Sequence, residues 1–251
     1  DVKDAVQPDR WYEALPRPQF KTLERVPVES DWFEVYRLPG DIFAICEPHH
    51  FQEVITYLIL GEKAALMVDT GLGMKDIKAV VTQLTDLPIT VMNTHTHFDH
   101  IGSNWQFDTV HVLNHPLAIQ RLTNGVHKKE VYAYFEPAAF HYSGDLGFDP
   151  AAFVVKPCTF ETVEPGYQFD LGGRVFEVIH TPGHSVDHVA FRTPDDVLYV
   201  GDTLMSGRLL RQAKLSYALS HEVDLESKKK LRRYHCAAYI LAHGSIEQEL
   251  E

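Results

Sequence analysis

The fold is decided by residues 93–102, which read Asn-Thr-His-Thr-His-Phe-Asp-His-Ile-Gly. Side chains alternate sides in an extended segment, so His95 and His97 can direct their imidazoles at one cation. Asp99 and His100 follow where the chain is expected to turn into a helix, and there they can face a second cation. Imidazole nitrogens and carboxylate oxygens bind a borderline metal at about 2.0–2.2 Å, and a catalytic site needs about three protein ligands plus an open position. The stretch therefore predicts a metal centre.

Three further stretches can complete two sets of ligands. They are Thr181-Pro182-Gly183-His184-Ser185, Gly201-Asp202-Thr203-Leu204 and His243-Gly244. His184 would complete the first triplet and His243 the second, while the two oxygens of Asp202 can bridge both ions. Two ions about 3.5–4 Å apart hold a shared hydroxide and clamp an attacking and a leaving oxygen. The pattern is typical of a hydrolase.

Together these motifs resemble the metallo-β-lactamase superfamily of metallohydrolases, over about residues 33–244. The resemblance implies an α/β fold, a single-domain αββα sandwich with the metals at the rim between the two sheets. It also assigns the ligands: metal one to His95, His97 and His184, metal two to Asp99, His100 and His243, and the bridge to Asp202. The stretch Val68-Asp69-Thr70-Gly71 is similar to the loop that supports these ligands in the family.

Asp69 is the predicted partner of a metal-binding histidine. Such histidines usually donate their other ring N–H to a carboxylate or a carbonyl. The alternative role for Asp69 is that of a turn residue before Gly71.

The aspartate at position 202 favours one branch of the superfamily. Zinc β-lactamases of the family usually have a cysteine or another residue there, whereas the branch that resembles glyoxalase II, acyl-homoserine lactonases and phosphodiesterases has an aspartate. Enzymes of the glyoxalase II type carry a further helical region after the last metal histidine, and only residues 244–251 follow His243 here. A dedicated glutathione site is therefore not expected.

The predicted function is that of a dinuclear metal-dependent hydrolase of a small ester, thioester, lactone or related acyl substrate. A bridging hydroxide would attack the carbonyl carbon, and Asp99 and Asp202 are the predicted catalytic residues, which position that hydroxide and pass its proton on. We expect two zinc ions, although iron and manganese also accept such ligands. The residues that contact the substrate are not identified, but segments 123–152 and 205–223 are expected to overhang the metals.

Three alternatives stay open. β-Lactamase or phosphodiesterase activity would use the same site. A mononuclear iron persulfide dioxygenase would use His95, His184 and Asp202 and leave the second triplet idle. A non-catalytic, metal-bound binding module would retain the ligands without turnover.

Composition favours neither nucleic acid nor a membrane as a partner, so a small-molecule substrate is the expected partner. The formal net charge is −12, which disfavours nucleic acid, and apolar runs are far below the roughly 18–20 residues that cross a bilayer. Three cysteines, an odd number, give no sign of a disulfide framework and favour a cytoplasmic location. The chain begins at Asp1 without methionine, so a removed leader is an alternative. Nothing in the sequence indicates the oligomeric state.

The chain is predicted to divide into two parts. Residues 1–31 contain four prolines and little apolar periodicity, which predicts an extended N-terminal arm, and residues 32–251 would form the metallo-β-lactamase-like domain. Helical spacing of apolar residues is expected over 74–85 and 115–122. Strands are predicted at 33–38, 42–46, 53–60, 63–68, 89–92, 109–113, 167–171, 174–180, 187–192 and 197–200.

Overall fold

Thirteen strands and five α-helices lie in residues 10–193, 197–203, 221–234 and 238–243, which the computed structural model describes. The strands are β1 (Glu24–Val26), β2 (Glu34–Leu38), β3 (Ile42–Cys46), β4 (Ile55–Leu60), β5 (Ala65–Val68), β6 (Ile89–Met92), β7 (Val110–Leu113), β8 (Glu161–Val163), β9 (Gln168–Asp170), β10 (Val175–His180), β11 (Val189–Arg192), β12 (Val197–Gly201) and β13 (Ala238–Leu241). The helices are α1 (Ile77–Leu84), α2 (Phe98–Ile101), α3 (Pro116–Asn124), α4 (Lys128–Val131) and α5 (His221–Arg232).

The strands form two sheets. The larger sheet runs from β1 to β8 in chain order; β1 to β5 are antiparallel neighbours, and β5 to β8 pair in parallel. The smaller sheet has the order β13-β12-β11-β10-β9, and its β12–β13 pair is parallel. The loop after β6 lies in the parallel part of the larger sheet, and Asp202 and His243 follow the parallel pair β12 and β13, whereas His184 follows β10, which is antiparallel to both of its neighbours.

Alternation along the strands builds four layers. In β3, Phe43 and Ile45 pack in one cluster with Ile77 of α1, while Ile42 and Ala44 face the other way into the core between the sheets. Phe176 and Phe191 of the smaller sheet share that inner core, and Leu231 of α5 packs with Ile179, Ala190 and Leu198 on its outer face. The order helix, sheet, sheet, helix confirms the predicted αββα sandwich.

Some element boundaries differ from the predicted ones. β3 and β6 have the predicted bounds, but β4 begins at Ile55 and not at residue 53. Glu53 has a φ of 47°, in the left-handed region, which is incompatible with a strand. The three-residue β8 and the edge strand β13 were not predicted.

The predicted N-terminal arm is only partly described. Residues 1–9 lie outside the described residues. Trp11–Ala14 and Pro18–Thr22 are 3-10 turns, and β1 pairs with β2 as the first strand of the larger sheet. The division at residues 31 and 32 stays a prediction. None of the helices within the described ranges has the length and apolar character needed to cross a membrane.

Candidate metal centre

All seven predicted ligands lie beyond the ends of strands at one rim of the sandwich. β6 ends at Met92 and α2 begins at Phe98, so the connection between them carries His95 and His97. Asp99 and His100 lie in α2 itself, as predicted. The other three ligands lie soon after β10, β12 and β13 and are His184, Asp202 and His243. Loops held by strand ends give such side chains a rigid frame.

The first group consists of three converging histidines. His95 Nε2 and His184 Nε2 each lie 2.9 Å from His97 Nδ1. Two nitrogens that share a tetrahedral zinc ion are about 3.3 Å apart, because each lies about 2.0–2.1 Å from the ion. The three nitrogens therefore have nearly the spacing that one ion requires.

The second group combines two histidines with a carboxylate. Asp99 Oδ2 lies 3.6 Å from His100 Nε2 and 3.5 Å from His243 Nε2. All three residues are buried. These atoms lie within 4.8 Å of one another, so they also form a set that can hold a metal ion.

Asp202 lies between the two groups. Its Oδ2 is 3.2 Å from His184 Nε2 in the first group. Its Oδ1 is 3.2 Å from His243 Nε2 and 3.7 Å from His100 Nε2 in the second. One oxygen of the carboxylate therefore faces each group.

Two buried atoms indicate that these residues fit metal ions. Within the part of the chain that the structure describes, His100 Nε2 and Asp202 Oδ1 have no hydrogen-bond partner. Buried polar atoms without a partner are uncommon in native proteins and need an explanation such as an ion or a water molecule. A cation between these two atoms and the neighbouring ligands would satisfy both.

Electrostatics differ between the two groups. Burial lowers the pKa of His97 and of His184 to about 4, and that of His95 well below its usual range. Burial also acts to lower the pKa of His100 and His243, but nearby aspartate carboxylates outweigh it and raise both pKa values. The lowered pKa values favour neutral imidazoles in the first group, which can bind a cation directly, whereas the raised pKa values in the second group favour protonated imidazoles that a cation would have to deprotonate.

Asp69 lies directly behind the second group. Its Oδ2 is 2.8 Å from His100 Nδ1, the ring nitrogen that faces away from the centre. Thr94 donates to the same carboxylate twice, from its backbone N–H and from its hydroxyl, both at 2.7 Å. The φ of Asp69 is 64°, a left-handed backbone conformation that aspartate also adopts in turns. The geometry is compatible with both roles considered for Asp69.

Asp187 supports the first group and was not singled out in the sequence. Its Oδ2 accepts hydrogen bonds from the backbone N–H of Thr96, at 3.0 Å, and from the Thr96 hydroxyl, at 2.5 Å. Ser185 donates to its other oxygen. Asp187 thus ties the residue between His95 and His97 to the loop that carries His184.

His188 supports Asp202 and was also missed. Its Nε2 accepts a hydrogen bond of 3.0 Å from the backbone N–H of Asp202. Burial lowers the pKa of His188 to about 3, so the ring is neutral and can accept. Gly201 permits this contact, because a Cβ at that position would lie 2.7 Å from His188 Nε2. The only sequence signal for His188 is its place four residues after His184.

Of the two segments predicted to overhang the metals, the structure describes the first and only the last residues of the second. Residues 123–152 contain α4 and several 3-10 turns, and the aromatic rings of Phe135 and Phe140 pack inward with Trp32 and other core residues. Of the second segment, residues 205–220 lie outside the described residues. No substrate contact is assigned in either segment.

Sequence comparison settles the family. Residues 53–243 match the family model described as the metallo-beta-lactamase superfamily. The chain belongs to the metallo-β-lactamase superfamily. Proteins of this superfamily generally bind metal ions, and the curated relatives of the chain support a metal-dependent hydrolase.

Two curated relatives are named as thioester hydrolases. Acyl-coenzyme A thioesterase MBLAC2 of Bos taurus is 26% identical over 196 residues, which cover 72% of this chain and 69% of the relative. A hydroxyacylglutathione hydrolase of Trichodesmium erythraeum is 28% identical over 187 residues, which cover 69% of this chain and 55% of the relative. Both are members of a superfamily with many activities, so the names describe those proteins only.

Solved structures of the superfamily share the fold at low identity. An archaeal metallo-beta-lactamase superfamily protein from Sulfolobus tokodaii has a TM-score of 0.55 at 19% identity, covering 83% of this chain and 82% of its own. A metallo-beta-lactamase from Pontibacter korlensis has a TM-score of 0.60 at 17% identity, covering 86% and 93%. These similarities support the metallo-β-lactamase fold of the chain.

Proposed function

We propose that the protein is a dinuclear metal-dependent hydrolase that cleaves a small acyl substrate, with a thioester as the preferred class. The observation that carries the proposal is the position of the Asp202 carboxylate. Its two oxygens each lie 3.2 Å from a histidine nitrogen, one in each ligand group. A carboxylate placed in this way is suited to bridge two ions.

The seven predicted ligands would hold two zinc ions. One ion would be held by His95, His97 and His184 and the other by Asp99, His100 and His243, with Asp202 shared between them. Ions bound there would supply a nucleophile at neutral pH and polarise the substrate carbonyl.

The carboxylates of Asp99 and Asp202 would orient the attacking water, and the proton of that water would pass to Asp99. Burial alone would raise the pKa of Asp202, but the neighbouring histidines hold it well below its usual range. A carboxylate with a lowered pKa is a weak base, so Asp202 would bind the ions and accept hydrogen bonds from the water without taking up its proton. We assign the catalytic roles to these two residues.

A cysteine nucleophile is not required, and the described cysteines are poorly suited to the role. Burial raises the pKa of Cys46 well above its usual range and that of Cys158 to about 11. The thiolate is the reactive form of cysteine, and it is scarce at such pKa values. This supports direct attack by water.

A thioester is favoured within the acyl substrates by the two relatives named above, one an acyl-coenzyme A thioesterase and the other a hydroxyacylglutathione hydrolase. The thiol that is released has a pKa of about 8–9, so its thiolate leaves with less need of protonation than an alkoxide or an amine. Esters and lactones stay within the proposal as slower substrates.

The proposal is tested with zinc-loaded protein and a substrate panel. The panel contains short-chain acyl-coenzyme A, a hydroxyacylglutathione, an aryl ester, an acyl-homoserine lactone, a β-lactam and an aryl phosphodiester. We expect the highest kcat/KM for a thioester and no turnover in the Asp202→Asn variant.

Other outcomes separate the alternatives. A kcat/KM highest for the β-lactam or the phosphodiester would replace the acyl substrate with that class. No turnover of any compound by protein that holds two zinc ions would favour a binding module. Oxygen consumption on glutathione persulfide with a single bound iron would identify a dioxygenase.

A further inference from the structure

Gln52 contacts two members of the second ligand group. It lies in the loop of residues 47–54, between β3 and β4. Its side-chain Nε2 donates a 2.9 Å hydrogen bond to Asp99 Oδ2. Its backbone carbonyl oxygen lies 2.8 Å from His243 Nδ1. One residue outside all of the sequence motifs thus contacts both Asp99 and His243.

These two contacts fix the orientation of both ligands. A carboxylate oxygen that ligates a metal can only accept a hydrogen bond, and the amide nitrogen of Gln52 is the atom that faces Asp99 Oδ2. The backbone oxygen accepts the Nδ1 hydrogen of His243 and so leaves Nε2 as the coordinating nitrogen. His243 Nε2 lies 3.5 Å from Asp99 Oδ2 and 3.2 Å from Asp202 Oδ1, on the side of the centre.

The loop that carries Gln52 is itself held firmly. The backbone N–H of Glu47 bonds to the carbonyl of Val54 at 2.9 Å and closes the loop. At its far end, Val54 forms a β-bridge with His243, and the N–H of Ile55 bonds to the carbonyl of Ala242 at 2.8 Å. These bonds join the loop directly to the segment that carries His243.

A buried ion pair anchors the same loop to the N-terminal segment. Arg17 Nε lies 2.7 Å from Glu53 Oε2, and a second contact joins Arg17 to the other carboxylate oxygen. The two side chains are only 12% and 6% exposed. Glu53 is the neighbour of Gln52 and has the left-handed φ of 47°. A bidentate pair of this kind holds its partners with defined geometry.

We propose that Gln52 is a positioning residue for the second metal ion: it orients Asp99 and His243, and the Arg17–Glu53 pair holds it in place. The inference rests on the two-ion centre of the proposed function. Residues that orient metal ligands typically contribute 10–100-fold to metal affinity or activity. Both hydrogen bonds of Gln52 go to members of the second group, so replacing its side chain should change the affinity for one ion only.

Stepwise zinc affinities of full-length protein test the inference, measured by competition with a chelator and without any substrate. Gln52→Met keeps the length of the side chain and removes its hydrogen bonds. We expect about 10–100-fold weaker binding of one zinc ion and an unchanged affinity for the other. Gln106→Met is the matched control, because the Gln106 side chain accepts a hydrogen bond from the Lys78 backbone.

A second variant tests the anchor. Arg17→Met should weaken the binding of the same zinc ion. Its circular dichroism spectrum should stay native, and its affinity for the other ion should be unchanged. This variant keeps the inference testable if Gln52→Met does not fold.

The outcomes are distinct. If Gln52→Met binds both zinc ions with wild-type affinity, or if its affinity for both ions falls equally, the positioning role is overturned and the proposed function stays intact. Wild-type protein that binds a single ion would contradict both.

Discussion

Replacing Asp69 with asparagine should weaken zinc binding without disturbing the backbone. Asparagine tolerates the left-handed φ of 64° found at this position. The new side chain can still accept from the Thr94 N–H through its oxygen. Its amide nitrogen, however, cannot accept the hydrogen of His100 Nδ1, which lies 2.8 Å from Asp69 Oδ2 in the wild type.

The structure sets the size of the expected effect. Hydrogen bonds to charged groups contribute about 1.5–3 kcal/mol to stability, and Asp69 is only 1% exposed, so screening by solvent is small. Loss of a partner behind a metal ligand typically costs 10–100-fold in metal affinity. That range corresponds to about 1.4–2.7 kcal/mol.

Two assays separate the roles of Asp69. Chelator competition measures zinc affinity, and urea unfolding of metal-free protein measures the free energy of unfolding. Asp41→Asn is the matched control, because Asp41 also has a left-handed φ, 55°, but lies exposed in the turn between β2 and β3. If Asp69→Asn binds zinc as tightly as Asp41→Asn does, Asp69 is only a turn residue and the reasoning is refuted.

Three further predictions follow from charges in the centre and near it. Asp202→Ala should lower kcat by at least about 10²–10³-fold with an unchanged circular dichroism spectrum, and full activity would refute the bridging role. Zinc binding at pH 7 should release protons from His100 and His243, because the pKa values of both are raised. Calorimetry in buffers of different ionisation enthalpy counts the released protons. A binding enthalpy that does not depend on the buffer would contradict the prediction. Burial raises the pKa of Glu47 from 4.5 to about 7. Between pH 4.5 and about pH 7 the folded, metal-free protein therefore binds more protons than the unfolded chain. The free energy of unfolding should fall by about 3 kcal/mol as the pH rises through this range. Urea unfolding of Glu47→Gln should lack this fall, and an identical pH slope in both proteins would show that Glu47 does not cause it.

Four of the candidate ligands could be singled out from the sequence because their spacing is local. His95 and His97 share a side of an extended segment, and Asp99 and His100 lie in the short helix that follows. The layered fold was predictable because strand-like and helix-like segments recur in both halves of the sequence, and the family resemblance implies the same sandwich. Every residue of β3 is buried, so the division of its side chains between two cores leaves no alternation of apolar and polar residues in the sequence.

Unlike Asp69, the supporting residues Asp187 and Gln52 were not predicted, because their contacts join segments far apart in the chain and no motif marks them. Asp187 reaches Thr96 across 91 positions, and Gln52 reaches Asp99 across 47. No local pattern marks such residues, since their partners are set by the packing of two sheets. The boundary of β4 was missed because the left-handed backbone at Glu53 is imposed by the loop.

If Asp202 joins the two ligand groups into one dinuclear centre, protein purified without added metal should hold two ions. Elemental analysis should therefore find about two zinc ions per chain in the wild type and about one in Asp202→Ala. A single iron ion per chain in the wild type would rule out the dinuclear zinc centre and favour the dioxygenase.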